Sequence, residues 1–390
     1  MKPETPYYIV DEDNLVSSLK GFDTALSAYF PHRVCSYSVK TNSLPYCLET
    51  ARLQGYYAEV VSDDEYNLAL ECGFKPNEIV YNGPLKSKET FLDAIKGGAL
   101  VNIETFREIE WLKELPVDCH ADIGLRMNIN ISQISPADQN HENDNSRFGF
   151  SCESGDFDKA LDSIKSIPNI NLTRLHIHRT SRSRSTAFYA NLIHYALSQL
   201  QSRNMVIKEL DLGGGYFGMM PGKPAYTDYA ESIAAAVSNF YDLCRIRIII
   251  EPGNAIVASC FTFVASVIDV KHHDNANYIT IDGSRIDIDP FFRKSNYFME
   301  IRCVNSERSR TNVPRQIIGG CTCLEYDRLF ELLDHEQLAI GDNIYFHRVG
   351  AYTMTLTPQF IRYWPAVYKK TGNEELVLVR KKYSSETIKN

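Results

Sequence analysis

Several residue types that do chemistry when held out of water stand at the ends of short apolar runs in this sequence. Lys40 closes Tyr37-Ser38-Val39-Lys40-Thr41-Asn42. An amine at a dry mouth can lose its proton near neutral pH and attack a carbonyl to form an imine; the plainer reading is a surface lysine laying its stem on apolar neighbours. His176 and His178 share one face of a strand, as metal ligands do. A metal hydrolase would need more His or Asp at other strand ends, and the sequence offers only Glu59 and Glu251 there. No metal is therefore expected, and His178 reads as a ring packed on a flat partner. The run 210–218 satisfies G-x-G-x-x-G, but Pro221, Gly222 and Pro224 follow where a dinucleotide site needs a helix. That disfavours NAD and leaves Gly213, Gly214 and Gly215 as bare amides suited to a phosphate. Glu251, in Glu251-Pro252-Gly253-Asn254, ends an Ile-rich strand. A buried carboxylate needs a cationic or N–H partner, and a protonated ring nitrogen is one. Cys321-Thr322-Cys323 with Glu325 and Asp327 is half a metal site at most, since no second cysteine pair has suitable spacing. Its cysteines read as a reactive loop thiol or as small core residues.

The elements that must position these groups alternate. Strand patterns at 33–39, 56–61, 78–82, 99–103, 121–128, 172–178, 206–212 and 246–251 are separated by helical patterns near 43–54, 63–72, 87–97, 104–114, 157–166, 186–203 and 226–243, with a further helix at 13–29. Eight such units over about 230 residues predict an α/β fold, a (β/α)8 barrel of the TIM type, with an open doubly wound sheet as the alternative. In such barrels the strand ends converge on one mouth. Those ends are Lys40, Glu59 with Ser62, Asn82, Asn102 with Glu104, Arg126 with Asn128, His178, Gly213 to Gly215 and Glu251. Beyond 255 the pattern becomes strands without regular helices, at 256–270, 277–283, 297–304, 314–319, 342–347 and 376–380, which predicts a mostly β C-terminal domain. The expected division is a barrel over 11–255, a β-rich domain over 256–380 joined by residues 5–10, and a polar tail at 381–390. The polar stretch 131–147 reads as a surface loop.

Composition sets the frame. The chain has 390 residues, a net charge of −8, 44% hydrophobic and 23% charged residues, enough apolar material for a large core. The acidic balance and the lack of a long Lys/Arg run argue against nucleic acid as a partner. The most apolar stretch, 246–270, is interrupted by Arg247, Glu251, Pro252 and Asn254, so no membrane span is expected. Pro3, Glu4, Pro6, Asp11, Glu12 and Asp13 break any signal-peptide pattern. Ten cysteines spread over such a chain then predict free thiols and a cytoplasmic protein.

Taken together, these motifs resemble the fold type III pyridoxal-phosphate decarboxylases, the family of diaminopimelate and ornithine decarboxylases with an alanine-racemase-like barrel. The resemblance runs over residues 6–365. It is carried in order by Tyr37 to Asn42, Glu59-Val60-Val61-Ser62, Ser146-Arg147-Phe148-Gly149, His178-Arg179-Thr180-Ser181, Gly213-Gly214-Gly215, Glu251-Pro252-Gly253, Cys323 before Asp327, and Gly350-Ala351-Tyr352-Thr353. It implies pyridoxal 5′-phosphate as cofactor, covalently held by Lys40, with His178 stacked on its ring and Glu251 on its ring nitrogen. Ser181, Gly213 to Gly215 and Tyr352 would take its phosphate. It further implies decarboxylation at the α-carboxylate of an amino acid or derivative, free or carrier-linked. Cys323, supplied across a homodimer with shared active sites, would be the proton donor. Arg293, Tyr297, Tyr352 and Glu325 would meet the substrate. The alternatives are a racemase or epimerase on the same fold, or a catalytically silent cofactor-binding homologue that engages a regulatory partner. Two departures predict a diverged substrate: Asn254 stands where the family has arginine, and Leu324 where it has an acid that grasps a distal amine. Arg179, Arg182 and Arg184 crowd the loop after His178; they read either as a solvated basic loop or as groups that replace the lost arginine or bind an anionic part of the substrate.

Overall fold

A serine or threonine follows several of the parallel strands, and each one starts a helix. Ser62 accepts from the Glu65 N–H at the head of Asp63–Glu71 and Ser87 from Thr90 at Lys88–Lys96. Thr105 accepts from Glu108 at Phe106–Leu112 and Ser185 from Phe188 at Thr186–Ser202. Each cap satisfies an orphan helix N–H and contributes about 1 kcal/mol. The computed structural model describes residues 3–139, 146–304, 310–372 and 374–389, and the chain divides into two compact units, 16–256 and 1–15 with 257–390.

Strand β1 (Tyr7–Asp11) belongs to the second of these units. The first contains β2 (Arg33–Ser38), β3 (Tyr57–Val60), β4 (Ile79–Tyr81), β5 (Leu100–Ile103), β6 (Ala121–Asn128), the two-residue β7 (Phe150–Ser151), β8 (Ile170–His176), β9 (Glu209–Asp211) and β10 (Arg247–Ile250). Pairing runs β6-β5-β4-β3-β2-β10-β9-β8 and returns from β8 to β6, so the eight long strands close into a parallel barrel, with β7 added beside β6. The expected (β/α)8 barrel is what the chain forms. Because side chains alternate along a strand, Val34, Tyr57, Val80, Leu100 and Ile249 make an apolar layer inside the barrel. Two residues further along three of these strands stand Glu59, Asn82 and Glu251. The same periodicity that fills the floor thus delivers polar groups above it.

The second unit is mostly β, also as expected. It comprises β11 (Phe261–His273), β12 (Ala276–Ile281), β13 (Phe298–Arg302), β14 (Asn312–Gly319), β15 (Arg328–Glu336), β16 (Asn343–His347), β17 (Ala366–Lys370) and β18 (Leu376–Arg380). The order is β15-β14-β12-β11-β1-β17-β18, with β16 on β11 and β13 on β16. Tyr7 pairs with Val264 on one side and Ala366 on the other, and the three share a core cluster with Tyr345.

The structure departs from expectation at several places. β15 and β17 were not foreseen; β15 is an edge strand whose mixed Leu, Glu and Asp content hides its alternation. The strand expected from 256 begins at Phe261, because Asn254–Val257 makes a helical turn first. In the expected surface loop, Ile131–Ile134 is a helix capped by Asn130 and Asp138 is buried; residues 140–145 lie outside the described residues. Within the expected tail, Ser385–Lys389 forms a short helix; Asn390 lies outside the described residues.

One buried ion pair ties the ends of β4 and β5. The side chains of Lys86 and Glu108 are 0% exposed and 2.9 Å apart. Lys86 also donates to the carbonyls of Gly83 and Asn102, while Glu108 Oε2 accepts from the Glu104 and Thr105 amides. Lys86→Met leaves that carboxylate buried without its cation. A loss of about 3–5 kcal/mol in urea unfolding is expected; a loss under about 1 kcal/mol would contradict the assignment.

Candidate active site

β2 ends at Ser38, and Val39–Thr41 turns as a short 3-10 helix that brings Lys40 back toward β3. Lys40 Nζ donates to both carboxylate oxygens of Glu59, with 2.6 Å to Oε1. Glu59 is buried, while the Lys40 side chain is 41% exposed. Ser38 Oγ donates to Glu59 Oε2 at 2.6 Å and Asn82 Nδ2 to Oε1 at 3.2 Å. Partial loss of water at Lys40 and full burial at Glu59 work against their charges, but their attraction and these hydrogen bonds prevail. The Glu59 carboxyl is held below its usual range and the Lys40 ammonium above its own. This corrects the expectation of a lysine that loses its proton near neutral pH. The barrel mouth supplies a carboxylate, and the carboxylate keeps the proton on.

Asn82 links this pair to a second set of acids. Its Nδ2 also donates to Glu251 Oε1, and its Oδ1 accepts from Asn102 Nδ2 at 2.8 Å. Asn102 Nδ2 donates in turn to Asp211 Oδ2 at 2.8 Å. Asp211, Glu251 and His176 are all buried, each with a ligand-type atom within 4.8 Å of the others. Burial, with the repulsion of Asp211 and Glu59, drives the Glu251 carboxyl well above its usual pKa; burial pushes Asp211 up to about 6. His176 is kept neutral by burial and by the nearby Arg126 charge. The cluster is a proton-holding acid pair beside an uncharged imidazole. The partner expected for Glu251 is present as the Asn82 amide.

The glycine run leaves β9 directly. Gly213 has φ 65°, and a Cβ there would lie 2.5 Å from His178 Nδ1, so only glycine lets the imidazole lie on this backbone. Gly214 N–H donates to His178 Nδ1 at 3.3 Å. Burial, with the Arg126 and Lys40 charges, lowers His178 to about 3, so the ring is neutral and carries its proton on Nε2. Ser181, expected at a phosphate, donates to Asp138 Oδ1 at 2.7 Å and accepts from the Arg184 amide at 2.9 Å. To meet a phosphate its hydroxyl must turn from Asp138. Burial disfavours the Asp138 charge, but hydrogen bonds from Ser183, Ser181 and Ser135 hold the carboxyl low. Asp138 escaped the sequence reading because it sits in a stretch that reads as loop; the serines at 135, 181 and 183 were the available signal. Arg184 lies over the Phe217 ring at 5.1 Å, and Arg182 is exposed.

In the β-rich unit, Cys323 is exposed on a turn held by Asp327, whose carboxylate accepts from Thr322 Oγ1, Ser284 Oγ and the Arg285 amide. Glu325 is exposed on the same turn and Leu324 half-buried. Tyr352 is held at φ 67°, a conformation costly for a bulky residue. Its ring meets Phe291 at 5.1 Å, and the Arg293 guanidinium lies over Phe291 at 5.3 Å. Tyr297 instead packs edge-on to Phe346. All ten cysteines are free, and no helix among the described residues is long and apolar enough to cross a membrane.

The donor set fits pyridoxal phosphate: an amine at Lys40, a proton-bearing carboxyl at Glu251, a flat neutral ring at His178, and a glycine backbone that a Cβ would fill. Comparison with known proteins agrees. Residues 13–258 match the model of the pyridoxal-binding domain of pyridoxal-dependent decarboxylases. The chain is 27% identical to a probable chloroplastic diaminopimelate decarboxylase of Oryza sativa subsp. japonica, covering 91% of this chain and 73% of that protein. It is 27% identical to the diaminopimelate decarboxylase of Bacillus subtilis, covering 97% and 90%. The fold matches a diaminopimelate decarboxylase from M. jannaschii solved in complex with L-lysine, with a TM-score of 0.84 at 20% identity over 98% of this chain and 91% of that one. These findings support decarboxylation and lend none to the racemase or silent-homologue alternatives. The chain belongs to the pyridoxal-dependent decarboxylase family, and its activity is the decarboxylation of an amino acid with pyridoxal phosphate as cofactor.

Proposed function

We propose that this decarboxylase works as a cytoplasmic homodimer on an amino acid or derivative, free or carrier-linked, whose distal end differs from that of diaminopimelate. The observation that carries the assignment of the site is Lys40 at 2.6 Å from Glu59, which shares Asn82 with Glu251. Pyridoxal phosphate, when bound, supplies an aldehyde for amines and an electron-withdrawing ring that stabilises the carbanion left as carbon dioxide departs. Lys40 would hold that aldehyde as a free amine, so its ammonium must first lose a proton to solvent, a loss that the Glu59 carboxylate opposes. Glu251, kept in its acid form by burial and Asp211, presents a proton to the ring nitrogen. His178 would offer an uncharged face, and the glycine run, through the open Gly215 amide, would receive the phosphate with Ser181; Tyr352 is assigned to the phosphate on the family resemblance alone.

Cys323 of a second copy protonates the α-carbon in this reading, supported by its exposure on a turn fixed by Asp327. Free thiols throughout suit a reducing compartment. Arg293, Tyr297 and Tyr352 are assigned to the substrate carboxylate, and Glu325 to its distal end. Leu324 cannot accept a hydrogen bond from a distal ammonium, and a closed site rejects a polar group it leaves unmatched.

Two outcomes are expected. Attachment of pyridoxal phosphate to Lys40, read by absorbance and by the mass of a borohydride-fixed pyridoxyl peptide, accelerates as pH rises above neutrality because the ammonium is the resting form. Glu59→Gln removes the charge that raises the Lys40 pKa and moves the pH profile to lower pH. An unchanged profile would show that Glu59 does not hold the proton. In a panel of amino acids assayed for carbon dioxide release, substrates with a neutral or acylated distal end outpace diaminopimelate and ornithine by at least about tenfold, and Leu324→Asp narrows the gap. Diaminopimelate as the best substrate of the unmodified enzyme would sink the divergence.

A further inference from the structure

Tyr189 lies on the helix Thr186–Ser202, buried to 2% exposure, and its hydroxyl donates to the Gly214 carbonyl at 3.1 Å. In a trans peptide the C=O and the following N–H point in opposite directions. Fixing the Gly214 carbonyl on Tyr189 therefore turns the Gly215 N–H away from that hydroxyl. The three glycine amides are not equivalent. Gly213 N–H is spent on Asp211 Oδ1 at 3.1 Å and Gly214 N–H on His178 Nδ1 at 3.3 Å. Gly215 N–H has no partner among the described residues. Gly215 has φ 98°, and a Cβ there would lie 3.0 Å from the Tyr189 hydroxyl and 4.0 Å from His178 Cε1, so its Cα faces that hydroxyl with no room for a side chain.

The tyrosine is also rigid. Its ring stacks on Tyr216 with centroids 4.6 Å apart and meets Tyr229 and Phe188 edge-on at 5.5 Å and 5.4 Å. Burial raises its phenol pKa, so the hydroxyl remains a donor at neutral pH.

We propose that Tyr189 is a positioning residue that aims the Gly215 amide at the phosphate of pyridoxal phosphate. The proposal rests on the reading of the glycine run as the phosphate cradle. In this role Tyr189 acts through the peptide whose carbonyl it holds, the one whose N–H is left for the phosphate. An amide held in place costs nothing to orient when the anion arrives, whereas a free Gly-Gly peptide must be ordered first.

The test compares equilibrium binding of pyridoxal phosphate and of pyridoxal, which lacks the phosphate, to the cofactor-free protein. Tyr189→Phe keeps the ring stack and removes the hydroxyl. It is expected to weaken pyridoxal phosphate by about tenfold while leaving pyridoxal unchanged. Tyr226→Phe serves as the structural comparison, because it deletes another buried hydroxyl-to-carbonyl bond, to Ala255 at 2.8 Å, from the same aromatic cluster. It leaves the ratio of the two affinities where it was. Equal weakening of both ligands in Tyr189→Phe, or no change in either, overturns the role of Tyr189 while the cradle stands. An unmodified protein that binds both aldehydes equally overturns the cradle and the role together.

Discussion

Glu251 and Asp211 are two carboxyl groups buried at the same end of one barrel, and their mutual proximity constrains what surrounds them. Two carboxylates cannot both ionise there without a cation. The structure instead keeps the Glu251 carboxyl well above its usual pKa and Asp211 near 6, with a neutral His176 beside them. Amide side chains do the tethering: Asn82 and Asn102 bridge the acids without adding charge. An aromatic nitrogen base that takes the Glu251 proton becomes the cation this acid pair lacks, and its attraction to the new carboxylate offsets the cost of ionising a buried acid.

Lys40 and Glu59 form the opposite case, a pair in which both charges persist. Asn82 donates to the carboxyl groups of both sets, so the amine end and the acid end of the site are held by one side chain. The barrel accounts for the juxtaposition. Lys40, Glu59, Asn82 and Glu251 arise at the ends of β2, β3, β4 and β10, which pair directly in the order β4-β3-β2-β10.

Most of this arrangement is written in the sequence as polar residues that end apolar runs. Lys40, Glu59, Asn82, Asn102, Arg126, His178 and Glu251 could each be read that way, since a strand that alternates toward the core must end somewhere polar. Asp211 could not. It stands inside Leu210-Asp211-Leu212, where it reads as the outward residue of an alternating strand. Tyr189 and Asp138 were hidden for other reasons: one sits in a helix where an aromatic residue reads as core, the other in a stretch with loop composition. The state of the Lys40 proton was also illegible, because it depends on the distance to Glu59 across two strands. β15 was missed because Leu, Glu and Asp are mixed along it without a clear period of two.

In the proposed site the buried Glu251 keeps the cofactor ring nitrogen protonated. The most direct measurement is the nitrogen-15 chemical shift of ring-labelled pyridoxal phosphate bound to the protein. A protonated pyridinium is expected across the neutral pH range, and its loss in Glu251→Ala. An unprotonated ring nitrogen in the unaltered protein would contradict it.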